Sequence, residues 1–201
     1  MPNLIILVIS LFLSGCLFNP KEKPKYYFHN LKYEIKEEKL ASKDILKNKN
    51  NEHITVLNIE YDLDPAKIYI NTKGKIDSYK KNYWQKHPGS MVQDTIAEVL
   101  TKSKMFGQVT VTAFKREADY YLYVSLSNLT NTINDNPSAK IKCFVSLYSN
   151  KTNKVIWSDS ISIAQKSKSS DINEIILAYK KANFELSKYI LENISKIDLN
   201  L

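Results

Sequence analysis

The sequence predicts an α+β domain, a mostly antiparallel mixed sheet with two helices packed on one face. Three observations predict it. Apolar residues recur with a period of two through most of residues 26–165. The period lengthens to that of a helix at 87–107 and again at 171–197. The resulting order is strands, helix, strands, helix, which segregates the element types and does not alternate them as a βαβ chain would.

The chain opens on an aliphatic run, Leu4 to Leu13, which leads into Leu13-Ser14-Gly15-Cys16. The run is shorter than the roughly 18–20 residues that span a bilayer. It suits the apolar core of a secretory signal, although Met1-Pro2-Asn3 brings no Lys or Arg before it. The small residues before Cys16 resemble the lipobox of bacterial lipoproteins, where the thiol takes up a diacylglycerol. Residues 1–15 therefore read as a lipoprotein signal peptide, and Cys16 as the lipidated first residue of the mature chain. Each buried methylene contributes about 0.8 kcal/mol, so two or three chains anchor the protein to a membrane that it does not cross. Residues 16–25 are the lipidated cysteine and a tether, in which Pro20, Pro24 and alternating charge exclude a helix.

The domain occupies 26–201. "YYFHNLKYEI" (26–35) reads as a first strand, and 37–52 as polar and irregular. "HITVLNIEY" (53–61) reads as a central strand, with Ile54 and Val56 on one face and Leu57, Ile59 and Tyr61 on the other. "DLDPA" (62–66) is a turn, 67–72 a short strand, Lys73-Gly74-Lys75 a turn, and 76–84 an extended piece. Val92, Ile96, Val99 and Leu100 give 87–107 its helical stripe, with Pro88 early in the helix and Gly107 as its C-terminal cap. Strands follow at 108–114, 118–130, 139–150 and 154–165, with a polar loop at 131–138 and a hairpin loop at Lys151-Thr152-Asn153. The last helix has Asp171 as N-cap and Glu174 placed for a capping box. Its stripe is Ile172, Ile175, Ile176, Tyr179, Leu186, Tyr189, Ile190 and Ile194.

Composition narrows the function. The chain is 43% hydrophobic with 13 tyrosines, so it folds. Its two cysteines make no disulfide framework once Cys16 is acylated, and Cys143, inside "KIKCFVSLY", reads as a small buried hydrophobe. The formal charge is +8, carried by lysine apart from Arg116. An exported chain of this kind meets anionic lipid and acidic protein surfaces, and nucleic acid is not expected as a partner.

The sequence offers little for catalysis. His29, His53 and His87 share no metal-ligand spacing and no Cys-x-x-Cys exists, so no metal is expected. Ser90, near His87, reads as a first-turn residue of the helix. Asp62 and Asp64 lack the rest of a calcium loop and read as turn residues. No nucleophile elbow and no phosphate-binding glycine loop is present, and no cofactor is expected. The chain is expected not to be an enzyme. What remains is surface. Residues 67–86 interleave lysines with aromatics, and Lys73, Lys75, Tyr79, Lys80, Lys81, Tyr83 and Trp84 are the candidate partner contacts. The competing role for Tyr79 and Trp84 is in the sheet's own core.

The run from Ile54 to Val111, followed by "ADYYLYVSLSNL", resembles the ABC-type transport auxiliary lipoproteins, the PqiC-like group. The resemblance rests on the lipobox, the Ile54-x-Val56 strand, Ile68 and Ile70, Tyr79, Trp84, the helix through Leu100, Phe106, and Ala118-Asp119-Tyr120. This chain departs in placing Gln85-Lys86-His87 between Trp84 and Pro88. The resemblance implies a non-catalytic partner of an ABC permease and ATPase and of an MCE-domain protein, which move lipid between the inner and outer membranes. A homo-oligomer stays open. Leu17, standing where an Asp would retain the protein at the inner membrane, favours the periplasmic face of the outer membrane. Two other readings are a carrier lipoprotein that holds lipid or lipopolysaccharide in an apolar cleft, and an envelope or cell-wall scaffold.

Overall fold

A computed structural model describes residues 24–35, 40, 51–57, 59–61, 63–112, 117–134 and 136–199. The signal peptide, Cys16, most of the tether and Asp62 lie outside the described residues, as do 113–116 of the expected strand 108–114. Among the described residues the strands are β1 (Tyr27–His29), β2 (His53–Leu57), β3 (Glu60–Tyr61), β4 (Lys67–Thr72), β5 (Lys75–Trp84), β6 (Gln108–Thr112), β7 (Tyr120–Thr132), β8 (Ser138–Ser149) and β9 (Lys154–Lys166). The helices are α1 (Pro88–Ser103) and α2 (Ile172–Ile194).

β7 is the spine of one sheet. Along one edge it pairs antiparallel with β8 over its full length, and β8 pairs antiparallel with β9. Its other edge is shared by three strands in succession, all parallel to it. Ile54–Val56 of β2 lie opposite Tyr120–Leu122, Glu60 and Tyr61 of β3 opposite Ser125 and Leu126, and Tyr69 and Ile70 of β4 opposite Thr130 and Asn131. Beyond this interrupted strand the sheet forks. β6 joins β2 in parallel at one end. At the other, β5 runs antiparallel to β4, and β1 parallel to β5. The long ladders are antiparallel and the short ones parallel, so the expected sheet is observed.

Both helices cover one face. α1 lies on β2, β3 and β6, and α2 on β8, β9 and α1. Alternate residues point inward to meet them: Leu122, Val124 and Leu126 of β7, and Ile141, Cys143, Val145 and Leu147 of β8. The opposite face carries a small cluster of Leu57, Ala118 and Tyr121, with Tyr123 and Tyr148 beside it, and elsewhere leaves Phe144 in solvent.

Several boundaries differ from the sequence expectations. The strand expected over 53–61 breaks after Leu57 and resumes at Glu60, so Ile59 turns into the main core while Leu57 joins the cluster on the opposite face. α1 imposes this break. Gln93 Nε2 donates to Val56 O at 2.9 Å, and Gly89 lies so close to the link that a Cβ there would stand 2.3 Å from Ile59 O. Of the strand expected over 26–35, only Tyr27–His29 pairs; Leu31 and Ile35 are buried without pairing.

The helix ends also needed tertiary information. His87 caps α1, its Nδ1 accepting from Gly89 N at 3.1 Å, and Pro88 follows in the first turn. Ser90 is accordingly a first-turn residue. Gly107 is not the C-cap: Lys104 is, at φ 56°. Gly107 instead allows close approach to the chain before β2, since a Cβ there would lie 2.7 Å from Asn51 O. In α2, Asp171 accepts from Asn173 N at 2.8 Å as expected, but the Asp171 amide goes to Ser169 Oγ at 3.2 Å and not to the expected Glu174 carboxylate. Tyr189 leaves the predicted stripe for the rim, where its hydroxyl donates to Asp159 Oδ2 at 2.7 Å.

Candidate functional site

The candidate contacts all lie on the hairpin of β4 and β5. Its turn places Lys73 at φ 50° and Gly74 at φ 88°, the left-handed pair of a two-residue type I′ loop. Asn71 Oδ1 accepts from Gly74 N at 2.9 Å and closes the loop. Lys73, Lys75, Lys80 and Lys81 are all exposed. The last β4–β7 pair is Ile70 with Asn131, so the turn end stands beyond the pairing with β7.

The aromatics of the segment divide. Trp84 is buried, 4% exposed, with its ring edge-on to Tyr179 at 5.4 Å. Its Nε1 has no hydrogen-bond partner. Tyr79 is half-buried and donates to Asn131 Oδ1 at 3.4 Å, while Asn131 Nδ2 donates to Tyr69 O at 2.7 Å. Burial raises the pKa of the Tyr79 hydroxyl above the usual tyrosine value and that of Tyr179 further. Tyr79 and Trp84 are five residues apart and would face opposite ways on an unbroken strand. The pairing slips between Lys67–Tyr83 and Tyr69–Ser78, and the slip turns both inward. Trp84 thus belongs to the core and drops out of the exposed contact set.

Tyr83 stays near the surface and gathers residues the sequence reading placed only in a strand. Its ring lies 5.7 Å from Tyr26 and 6.2 Å from Phe28, and its hydroxyl donates to Lys80 O at 3.1 Å. Lys25 Nζ stands 5.7 Å from the centre of the Tyr27 ring. Tyr26, Tyr27 and Phe28 are 51%, 47% and 67% exposed. A signal for this was available: three consecutive aromatics cannot all face inward on a strand whose side chains alternate.

The remaining chemistry-bearing groups serve the fold. His29 Nε2 pairs with Asn82 Oδ1 at 2.9 Å, His53 Nε2 with Thr110 Oγ1 at 2.8 Å, and His87 caps α1. Asp64 is turn chemistry: the Ala66 amide and then Lys67 hold its carboxyl below the usual range. Burial, with Asp159 nearby, pushes the Cys143 thiol up to about 12. Among the described residues, no group of three or more His, Cys, Asp or Glu is placed to hold a metal ion, and no helix is long and apolar enough to cross a membrane. A cleft of about 390 Å³ runs beside α1, lined by Asn30, Lys32, Lys86, Met91, Asp94 and Glu98 among others. Its lining mixes Lys32, Lys86, Asp94 and Glu98 with the apolar side chain of Met91.

No family model and no curated protein matches the sequence. Solved structures do share the fold. A protein from Xanthomonas campestris assigned to the family DUF330 is 18% identical, with a TM-score of 0.64 over 72% of this chain and 85% of that chain. A second crystal structure, 11% identical, has a TM-score of 0.65 over 85% of this chain and 99% of that one. A Chlamydia trachomatis protein, 11% identical, has a TM-score of 0.50 over 73% of this chain and 96% of that one. At these identities the likeness concerns the fold.

Proposed function

We propose that this chain is a lipid-anchored periplasmic lipoprotein, a non-catalytic auxiliary component of an ABC/MCE-type system that moves lipid between the inner and outer membranes. The observation that carries the reading is the Leu13-Ser14-Gly15-Cys16 sequence standing before a body of this fold. The acylated Cys16 holds the body at the outer membrane, and the body meets its protein partner through backbone and shape. β9 supports this role. It is long, pairs on one side with β8, and among the described residues its outer edge has no strand partner. Such an edge receives an added strand. The carrier alternative would need an apolar cleft, and the cleft beside α1 mixes charged residues with Met91.

The test has two arms. The mature protein, purified from its own membrane, is expected to begin at Cys16 and to carry an acyl mass there. Native-detergent purification is expected to bring down an MCE-domain protein. A chain that still begins at Met1 removes the anchor. An acylated chain that recovers a peptidoglycan synthase and no MCE protein replaces the transport role with the scaffold one.

A further inference from the structure

The direction of β1 bears on how an anchored chain would approach the membrane. β1 runs parallel to β5, with Tyr27 level with Asn82 and His29 with Trp84. The N-terminal end of β1 therefore points toward the low-numbered end of β5, which is the Lys73–Gly74 turn. Seven residues separate Asn82 from Lys75, about 23 Å of strand. Eleven residues separate Cys16 from Tyr27. Fully extended they reach about 40 Å, and as a coil about 20 Å. Over much of that range the turn of the hairpin meets the lipid surface before the tether is taut.

The residues gathered at this end suit such a surface. Ile76, beside the turn, is 50% exposed. The lysines of the turn stand with Lys166 and Lys168, because the end of β9 is carried to the same end of the sheet by the Ser138–Lys166 pair. Among the described residues of these segments the acids are Asp77, Asp171 and Glu174, against four lysines. Far behind the turn, with Tyr27 level with Asn82, come Tyr26, Tyr27 and Phe28, about half or more exposed, with Lys25 over one ring. Lysines beside an exposed aliphatic side chain, as at Lys73, Lys75 and Ile76, suit headgroup depth.

Building on the anchored-lipoprotein reading, we propose that the turn of the β4–β5 hairpin, with Lys73, Lys75 and Ile76 at its tip, rests on an anionic phospholipid surface and orients the domain on the membrane that holds Cys16. Only the tip of the aromatic–basic segment is then a lipid contact, and the β9 edge, unpaired among the described residues, is left for protein.

The test uses full-length lipidated protein in vesicles of phosphatidylethanolamine and phosphatidylglycerol. Two variants each add one tryptophan at an exposed site, Ile76→Trp at the tip and Val155→Trp on β9. Trp84 and Trp157 contribute the same background to both. Acyl-brominated phospholipid is expected to quench the added Ile76→Trp emission about twofold, as for a side chain at the boundary of headgroups and acyl chains. The added emission of Val155→Trp is expected to be unchanged. Charge reversal of Lys73 and Lys75 to Glu in the Ile76→Trp background is expected to relieve the quenching. Vesicle flotation and the Cys16 acyl mass are read on the same samples. Protein that floats, carries its acyl chains and shows equal quenching at the two sites overturns the orientation and leaves the anchor standing. Protein without acyl mass that fails to float overturns both.

Discussion

Trp84 and Lys73 belong to one hairpin, yet substitution separates them. The Trp84 ring is buried against Tyr179, so Trp84→Ala is expected to cost about 3–5 kcal/mol, whereas Lys73→Ala in solvent should stay within about 0.5 kcal/mol. Urea midpoints of the two variants check this, and a Trp84→Ala midpoint equal to the parent's would place the ring outside the core. The sequence could not make this division. Tyr79 and Trp84 stand among lysines in the same composition, and the slip in β4–β5 pairing that turns both inward leaves no local mark. The four lysines were legible, because a side chain with a fixed charge has no way into this core without a partner. Cys143 was legible too, since the alternation around it sends it to the helix side.

Among the elements, Gly89 and Gly74 pose different problems to an added methyl group. At Gly74 the space is open and the strain lies in φ 88°, so Gly74→Ala is expected to cost about 1–2 kcal/mol and to leave α1 unchanged. At Gly89 the methyl would stand 2.3 Å from Ile59 O, and the first turn of α1 must move off the β2–β3 link. Gly89→Ala is expected to lose stability and also to shift the amide resonances around Ile59 and Gln93. If those resonances stay in place, α1 does not set the break between β2 and β3. The same contact explains which parts of the elements were readable. Periodicity located both helices and most of the strands. It could not foresee that Ile59 changes face, because the cause is a helix thirty residues on in the chain. Nor could it foresee that Gly107 serves the approach of Asn51 and not the end of α1.

At the scale of the whole molecule, buried tyrosines tie stability to alkaline pH. Tyr61, Tyr120 and Tyr179 hold their protons above the usual range, chiefly because burial penalises the charged form. An unfolded tyrosine ionises near pH 10. Above that pH the unfolded chain binds fewer protons than the folded one, so stability falls as pH rises, by about 1.4 kcal/mol per unit for each tyrosine kept neutral in the fold. Below about pH 10 this contribution is fully present. Tyrosinate absorbance is expected to rise in a step together with loss of circular dichroism; a smooth titration of every tyrosine with the dichroism unchanged would sink the idea. The α+β class and the helix-covered face were legible from element order and alternation, but the fork in the sheet was not. It depends on which strand β7 meets at each point along its edge, which only the folded chain specifies. The parallel setting of β1 against β5 has a mechanical consequence. With the chain anchored at Cys16 as proposed, a pull directed along the axis of β1 would load its rungs to β5 side by side, in shear, so that they must give way together where a perpendicular tug would peel them one at a time.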